Sequence, residues 1–360
     1  MSAVAETPTP SVARDDHPAR WRMLALLATA ELLGMSLWFA GSAVAPQLQA
    51  RWGLDTLQVG WLTTMVQLGF VAGTAISALL NLADMVPARR LFALTAVAGA
   101  VANAGLLAAD GFAGALVSRF VSGMCLAGVY PPAMKMAATW FRERRGLAVG
   151  TVVGALTVGK AGPYLVQAMP GVGVTPVVLA ASLSAFAAAL LVLAGYRDGP
   201  YPFPPRPFSW GLVATVTRQR EWRLATGGYL GHMAELYSYW TWIPVFLAAS
   251  HAARTGDAAA RSPLVGALAF AVIAVGGAGC LWGGLRADRI GRERLVTIAM
   301  AASGTCALLI GFAFGSSWWV LAPLALAWGF FVIADSAQFS VLVTESVPPH
   351  AVGTALTLQT

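Results

Sequence analysis

The segment GLRADRIGR, residues 284–292, joins two apolar runs at about 264–285 and 295–314. An apolar run of about 20 residues is long enough to cross roughly 30 Å of hydrocarbon as an α-helix. Such runs recur along the chain, and none shows the short alternating pattern of a membrane-spanning strand. Charged residues make up only 11% of the 360 residues, against about 25% in a typical soluble domain. The sequence therefore predicts an all-α membrane protein with many spans.

We place ten complete spans on the chain and the start of an eleventh at about 351. The polar stretch 196–222 divides the first six spans from the rest. We expect a disordered tail at 1–21, an N-terminal six-helix bundle at 22–195, a cytoplasmic central loop at 196–222 and an incomplete C-terminal bundle at 223–360. The predicted spans are 22–44, 57–80, 91–109, 113–136, 147–168, 175–195, 224–249, 264–285, 295–314 and 318–341.

The basic residues predict the orientation of these spans. Of the 23 lysines and arginines, seventeen fall on the same side as the N-terminus, three on the opposite side and three within spans. Because short cytoplasmic loops carry an excess of Lys and Arg, the N-terminus is expected in the cytoplasm. The same asymmetry accounts for the net charge of +7 without a nucleic-acid partner. We expect a multi-pass protein of a bacterial inner membrane, surrounded by lipid.

An internal repeat predicts two related halves. The first and seventh spans begin about 202 residues apart, and Asp84 and Asp288 follow the second and eighth spans 204 residues apart. The segments 145–150 and 352–356, which follow the fourth and tenth spans, are about 207 residues apart. Three landmarks with nearly one offset indicate two copies of a six-helix unit. A complete second copy would end near 400, so we expect this chain to be truncated at its C-terminus.

These features resemble the major facilitator superfamily (MFS). Asp288-Arg289-Ile290-Gly291-Arg292, preceded by Gly284, is similar to the loop motif of that family, and Arg119-x-x-x-Gly123 is similar to its second motif. The glycines of the fifth span are similar to the Gly-Pro motif of the antiporter members but are out of its register. The resemblance implies two bundles that rock around a central site. It also implies a cytoplasmic gate, for which the candidates are Asp84, Arg89, Arg90, Gly284, Asp288, Arg289, Gly291 and Arg292.

Ionisable side chains within the spans predict the central site. Each costs roughly 2.5–3.5 kcal/mol or more at the middle of a bilayer, so each needs a partner or a function. They fall on spans that line the central cavity in the resembled fold, and His232, Glu235 and Tyr239 share one stripe of a helix. The candidate cavity residues are Glu31, Trp38, Gln67, Arg119, Tyr130, Lys160, His232, Glu235, Tyr239, Asp335 and Gln338. Tyr237 and Trp240 are further candidates for stacking or hydrogen bonds.

Two interpretations of these charges stay open at this point. In the first, Glu31, His232, Glu235 or Asp335 carries a coupling proton, since histidine changes its charge near neutral pH. In the second, pairs such as Glu31 with Lys160 only lock helices together. Lys160 and Arg119 favour a small organic or inorganic anion as the substrate, because both side chains bind anionic groups.

The sequence predicts a secondary active transporter that moves a small solute by alternating access, with a coupling proton or ion. The alternatives are proton-driven efflux of amphipathic drugs, a channel, or a truncated and transport-inactive membrane protein. No Gly-x-Ser-x-Gly segment, phosphate-binding glycine loop or metal-ligand spacing occurs in the sequence, which argues against an enzyme and against a metal or other cofactor. We expect a monomer.

Overall fold

The computed structural model describes residues 17–80, 82–141, 145–201, 210–256, 262–348 and 351–359. Every regular element in these ranges is a helix. Most of the predicted tail and residues 202–209 of the predicted central loop lie outside the described residues. The rest of that loop contains a nine-residue helix, and the next long helix begins at Arg220.

Among the described residues, the N-terminal half contains ten α-helices. The first predicted span is divided, because α1 ends at Gly34 and is followed by a 3₁₀ turn at Met35–Leu37 and two short helices. The fourth predicted span is also divided, at residues 127–129, between α7 and α8. The helices are α1 (Arg20–Gly34), α2 (Ala40–Ala43), α3 (Ala45–Trp52), α4 (Thr56–Leu79), α5 (Leu82–Met85), α6 (Ala88–Ala104), α7 (Phe112–Leu126), α8 (Tyr130–Ala138), α9 (Arg145–Gln167) and α10 (Val174–Gly195).

The C-terminal half contains seven more α-helices among the described residues. The tenth predicted span is divided at residues 332–335, which correspond to the break in the fourth. The helices are α11 (Trp210–Arg218), α12 (Arg220–Thr255), α13 (Pro263–Ile290), α14 (Arg292–Ile310), α15 (Trp318–Phe331), α16 (Ser336–Glu345) and α17 (Val352–Gln359).

Eight helical segments of the described chain are long and apolar enough to cross a membrane. They correspond to the second to sixth and the eighth to tenth predicted spans. The first predicted span falls on α1 and α2. The seventh falls on the 36-residue helix α12, which carries several charged residues. Neither is among the eight segments, so the total of ten complete spans remains a prediction.

The ends of the bundle differ in charge. Arg20, Arg220 and Arg292 begin helices at one end, here called the arginine-rich end, and Arg89, Arg197 and Arg289 lie near it. Arg51 and Arg254 are near the opposite end, where Arg254 lies over the indole of Trp318. This distribution is the one on which the prediction of a cytoplasmic N-terminus rests.

Glycines place two helix pairs at the same close distance in the two halves. In the N-terminal half, a Cβ atom at Gly69, Gly73 or Gly123 would overlap a carbonyl oxygen of the facing helix, because α4 and α7 approach backbone to backbone. In the C-terminal half, α13 approaches the divided α15–α16 segment in the same way. Gly279, Gly283 and Gly329 occupy the corresponding positions, about 206–210 residues further along. The two halves therefore share one packing scheme.

Helices α9 and α13 form a seam between the halves. An added Cβ at Gly154 would lie 3.1 Å from the carbonyl oxygen of Gly277. Nearer the arginine-rich end, one at Gly284 would lie 3.3 Å from the carbonyl oxygen of Gly146. The absence of side chains at these positions lets the two backbones touch, so the arginine-rich part of the seam is closed.

Candidate functional site

The break after α1 is held by a buried arginine. Arg119 on α7 donates from Nη1 to the carbonyl oxygen of Leu37, at 3.1 Å, and to the side-chain oxygen of Asn103, at 3.1 Å. It also donates from Nη2 to the carbonyl oxygen of Trp38. A chain that leaves the helix loses the usual partners of its carbonyl oxygens, and Arg119 supplies replacements. Its guanidinium therefore binds groups of the protein itself and does not face a cavity.

Asn103 fixes the position of this arginine. Its side-chain nitrogen donates to the carbonyl oxygen of Val178, at 3.1 Å, and to the hydroxyl of Ser182, at 3.0 Å. On the other side, a Cβ at Gly41 would lie 2.7 Å from Cδ and Nε of Arg119. The bonds and the packing together set where Trp38 lies.

Lys160 lies between two indole rings. Its Nζ atom is 3.6 Å from the ring centroid of Trp38 and 3.9 Å from that of Trp240. Lys160 and Trp38 belong to the N-terminal half, whereas Trp240 is on α12 of the C-terminal half. An ammonium group is attracted to the face of an indole, and more strongly where water is excluded. We call these three side chains the aromatic cage.

Glu31 lies near the cage but is not paired with it. The side chain is fully buried, and neither carboxylate oxygen has a hydrogen-bond partner among the described residues. Gly159 lets α9 approach the carbonyl of Leu32 closely, which brings Glu31 within electrostatic range of Lys160. No ion pair forms between them, because the ammonium lies over the indoles instead.

Further aromatic rings surround the cage. Trp38 lies 5.2 Å from Phe70, which lies 6.5 Å from Tyr130, measured between ring centroids. On the other side, Phe39 lies 6.0 Å from Trp240 and 5.9 Å from Tyr164. These contacts connect rings from both halves into one layer across the middle of the molecule.

A cavity of about 300 Å³, the vestibule, lies between the aromatic layer and the opposite end. Side chains of both halves line it, and Tyr164, one helical turn from Lys160, is among them. Beside it, the Gln67 amide donates to the hydroxyl of Thr241 at 3.2 Å and so joins the halves. The polar groups that line the vestibule are neutral, and they are Ser42, Gln49, Thr63, Tyr164, Gln167, Thr241 and Ser262.

The C-terminal half contains a buried acid–base pair. Nδ1 of His232 lies 3.0 Å from Oδ1 of Asp335, and both side chains are almost fully buried. The contact departs from regular hydrogen-bond geometry, and Nε2 of His232 has no partner among the described residues. Phe339 packs 5.5 Å from the imidazole, between ring centroids. Asp335 lies at the break between α15 and α16, where Gln338 is also buried.

The predicted stripe on α12 faces the interior of the C-terminal half. Glu235 accepts hydrogen bonds from Nε1 of Trp328, at 2.9 Å, and from the hydroxyl of Ser303, at 3.1 Å. Tyr239 donates to the carbonyl oxygen of Val272 at 2.8 Å, and its ring packs edge-on against Trp328. The structure thus separates Glu235, Tyr239, His232 and Asp335 from the cage, where Trp38 and Lys160 meet.

The predicted gate lies at the arginine-rich end. Gly291, between α13 and α14, has φ +87°, a backbone conformation that favours glycine. The adjoining Arg292 lies 2.8 Å from Oε1 of Glu345, at the end of α16. Arg89, Arg90 and Arg289 are exposed. The side chains of Asp84 and Asp288 lie outside the described set.

Several residues of the site were not predicted as candidates. Phe39 and Thr241 lie beside the cage, and Asn103 holds Arg119. Trp240, which was expected only as a further source of stacking or hydrogen bonds, completes the cage itself. Nothing in the sequence pattern singles out Asn103, whose role depends on a contact between helices.

Comparison with known proteins identifies the family. The family model described as "Major Facilitator Superfamily" matches residues 26–360. The chain belongs to the major facilitator superfamily. The match places the chain in a superfamily of multi-pass membrane transporters rather than in a family of enzymes.

Solved structures of MFS transporters share the fold. A bacterial homologue of the human lysosomal transporter Spinster, in inward-facing unoccupied and occupied conformations, aligns with TM-scores of 0.67 and 0.63 at 16% and 17% identity. Each alignment covers 95% of this chain and 78% of the other. A variant of the nucleoside transporter NupG aligns with a TM-score of 0.68 at 14% identity, covering 94% and 87%.

A curated relative is the galacturonate transporter of Dickeya chrysanthemi. It is 28% identical over 149 residues. The match covers 41% of this chain and 43% of the relative's length, which is less than two thirds of that protein.

Proposed function

We propose that this MFS protein is a secondary transporter of a small carboxylate, with Lys160 as the cation that binds it. The observation that supports this most is the position of the ammonium. Lys160 is buried where the halves meet, and it lies on indole faces rather than against a carboxylate. A cation that forms no ion pair with any described residue is available to a substrate anion, whereas Arg119 is bonded to carbonyl oxygens.

The vestibule favours a small, hydroxylated substrate. Its volume of about 300 Å³ lies at the lower limit of the ligand pockets found in proteins, roughly 300–1,000 Å³. Its polar groups are neutral hydroxyls and amides, which suit the hydroxyl groups of a sugar acid. Similarity to a galacturonate transporter makes a hexuronate the first substrate to test.

Glu31 is the candidate for the coupling proton in this proposal. Its two carboxylate oxygens are buried without partners near Lys160, and a buried, unpaired charge is costly. Binding a proton removes that charge, so Glu31 is able to link a proton to the occupancy of Lys160. The His232–Asp335 pair is the second candidate.

The location of the protein is also part of this proposal. We place it in a bacterial inner membrane with its N-terminus on the cytoplasmic side, and we expect it to act as a monomer.

Efflux of amphipathic drugs is the second candidate function. The aromatic layer around Trp38, Phe39, Phe70 and Trp240 favours it, because ring faces bind planar apolar molecules. The small vestibule favours the carboxylate.

Uptake into proteoliposomes tests the proposal. We expect labelled D-galacturonate to enter, and neutral D-galactose to be a poor competitor. Lys160→Met should abolish uptake, and Lys160→Arg should retain part of it. Lys135→Met removes the only other lysine of the chain and serves as the matched control. Glu31→Gln should make uptake insensitive to an imposed proton gradient. Uptake that persists in Lys160→Met would overturn the assignment, and extrusion of dyes without uptake of acids would favour efflux.

A further inference from the structure

The aromatic cage joins the two halves through the Lys160 ammonium and through ring contacts, since Trp240 also lies 6.3 Å from Trp38 and 6.0 Å from Phe39 between ring centroids. Trp38 and Lys160 lie on the N-terminal half and Trp240 on the C-terminal half, so the ammonium contacts both halves at once. At the same level, the hydrogen bond from Gln67 to Thr241 also crosses between them.

One side of the cage is fixed and the other is carried by the opposite half. The carbonyl of Trp38 is bonded to Arg119, and its ring also packs against Phe70, both within the N-terminal half. Trp240 packs against Tyr237 of its own helix and moves wherever α12 moves. A motion of one half relative to the other therefore changes the distance from Lys160 to Trp240 and leaves the distance to Trp38 unchanged.

The cage also restricts access to the ammonium. With an indole on each side, Lys160 presents little free surface to an anion. A carboxylate that pairs closely with Nζ must displace one ring, and Trp240 is the ring whose position depends on the other half. Occupancy and the arrangement of the halves are thus linked at this contact.

We propose that Trp240 is the residue that couples the occupancy of Lys160 to alternating access. In the conformation described here the vestibule is present and the arginine-rich part of the α9–α13 seam is closed. The contact of Lys160 with Trp240 stabilises that conformation, and an anion at Lys160 releases it. The anion part of this inference rests on the proposed function, whereas the stabilising contact does not.

Cysteine labelling without any solute tests the contact itself. Cys125, Cys280 and Cys306 are first replaced by serine. Ala248→Cys then reports on the vestibule, and Ala287→Cys, which is buried near the arginine-rich end of α13, reports on opening at that end. We expect Trp240→Ala to shift the ratio of the two conformations by about 5- to 30-fold, the range given by a cation–π contact. Labelling should fall at position 248 and rise at position 287.

Matched variants make the outcome specific. Trp242→Ala removes an exposed indole of the same helix and should leave both labelling rates unchanged. Lys160→Met should reproduce the Trp240→Ala result, and Lys160→Arg should lie near the parent. If Trp240→Ala does not fold, Trp240→Leu, which keeps the bulk without the indole face, replaces it.

The inference is overturned if Trp240→Ala labels like the parent, or if Trp242→Ala shifts labelling equally. Its failure and that of the proposed function are separable, because labelling is measured without solute. Altered labelling without galacturonate uptake would retain the contact and reject the carboxylate. Intact galacturonate uptake with unaltered labelling would retain the carboxylate as substrate and reject the role of the contact between Lys160 and Trp240.

Discussion

The two halves of this MFS protein share a scaffold and differ in their polar chemistry. Glycines bring α4 to α7 and α13 to α15 at corresponding positions, and the fourth and tenth predicted spans are broken at corresponding places. The N-terminal half bonds its arginine to a helix break and presents Lys160 at the boundary between the halves. The C-terminal half contains a histidine–aspartate pair in its interior and supplies Trp240.

The difference shows which features the repeat preserves. Helix packing depends on where backbones approach, so the glycines recur in both halves. Asp335 lies at the break of the tenth predicted span, and the corresponding break of the fourth is formed by Ala127, Gly128 and Val129. The packing of the helices is the same in both halves, whereas their polar groups differ. The centre is therefore asymmetric: the N-terminal half supplies Lys160, and the C-terminal half supplies Trp240 of the cage.

The largest effect is expected from Arg119→Leu. The change leaves the carbonyl oxygens of Leu37 and Trp38 and the side-chain oxygen of Asn103 without their donor. Each buried unsatisfied acceptor costs about 1–3 kcal/mol, so we expect the free energy of unfolding to fall by about 3–5 kcal/mol. Denaturant unfolding in detergent measures this loss. Arg22→Leu, at an exposed arginine of α1, should change it little. Equal stability of the two variants would show that Arg119 does not hold the break.

Much of the fold was accessible from the sequence, because apolar length and charge asymmetry are local properties. The positions of eight predicted spans coincide with helices able to cross a membrane. The break after Gly34 was not predicted, since it depends on Arg119, which lies more than 80 residues from Leu37 and Trp38 along the chain. Hydrophobic periodicity carries no information about such a contact.

The site was accessible only in part, for a related reason. Helical spacing predicts that Glu235 and Tyr239 share one face of α12, and both contact Trp328. The spacing of residues along α12 does not tell which helices pack against this face. In the structure the face packs against other helices of the C-terminal half. Likewise, the charges of Glu31 and Lys160 suggested a pair, whereas the ammonium lies over two indoles. The direction in which a helix face points and the partner that a side chain contacts depend on how the helices pack together.

The second prediction concerns the C-terminal half. Asp335→Asn keeps the volume of the side chain and removes the charge that His232 faces. A hydrogen bond to a charged group contributes about 1.5–3 kcal/mol. Because this contact departs from regular hydrogen-bond geometry, we expect a loss near the lower end of that range in the free energy of unfolding. Glu345→Gln disrupts the more exposed pair with Arg292 and should cost about 0–1 kcal/mol. A smaller loss in Asp335→Asn than in Glu345→Gln would mean that the buried pair contributes no net stability.

The smallest effect distinguishes two glycines of α9. A Cβ at Gly159 would overlap the carbonyl oxygen of Leu32, whereas one at Gly162 meets nothing within 4 Å. Overpacking a close contact costs about 1–3 kcal/mol, so Gly159→Ala should destabilise the protein and displace Lys160 from its cage. Gly162→Ala should instead stabilise the protein by about 0.5–1 kcal/mol, because glycine is unfavourable within a helix. Unfolding in detergent compares the two variants directly. Opposite signs would confirm that the close approach of α1 and α9, rather than helix formation alone, requires glycine at position 159, and equal effects would contradict it.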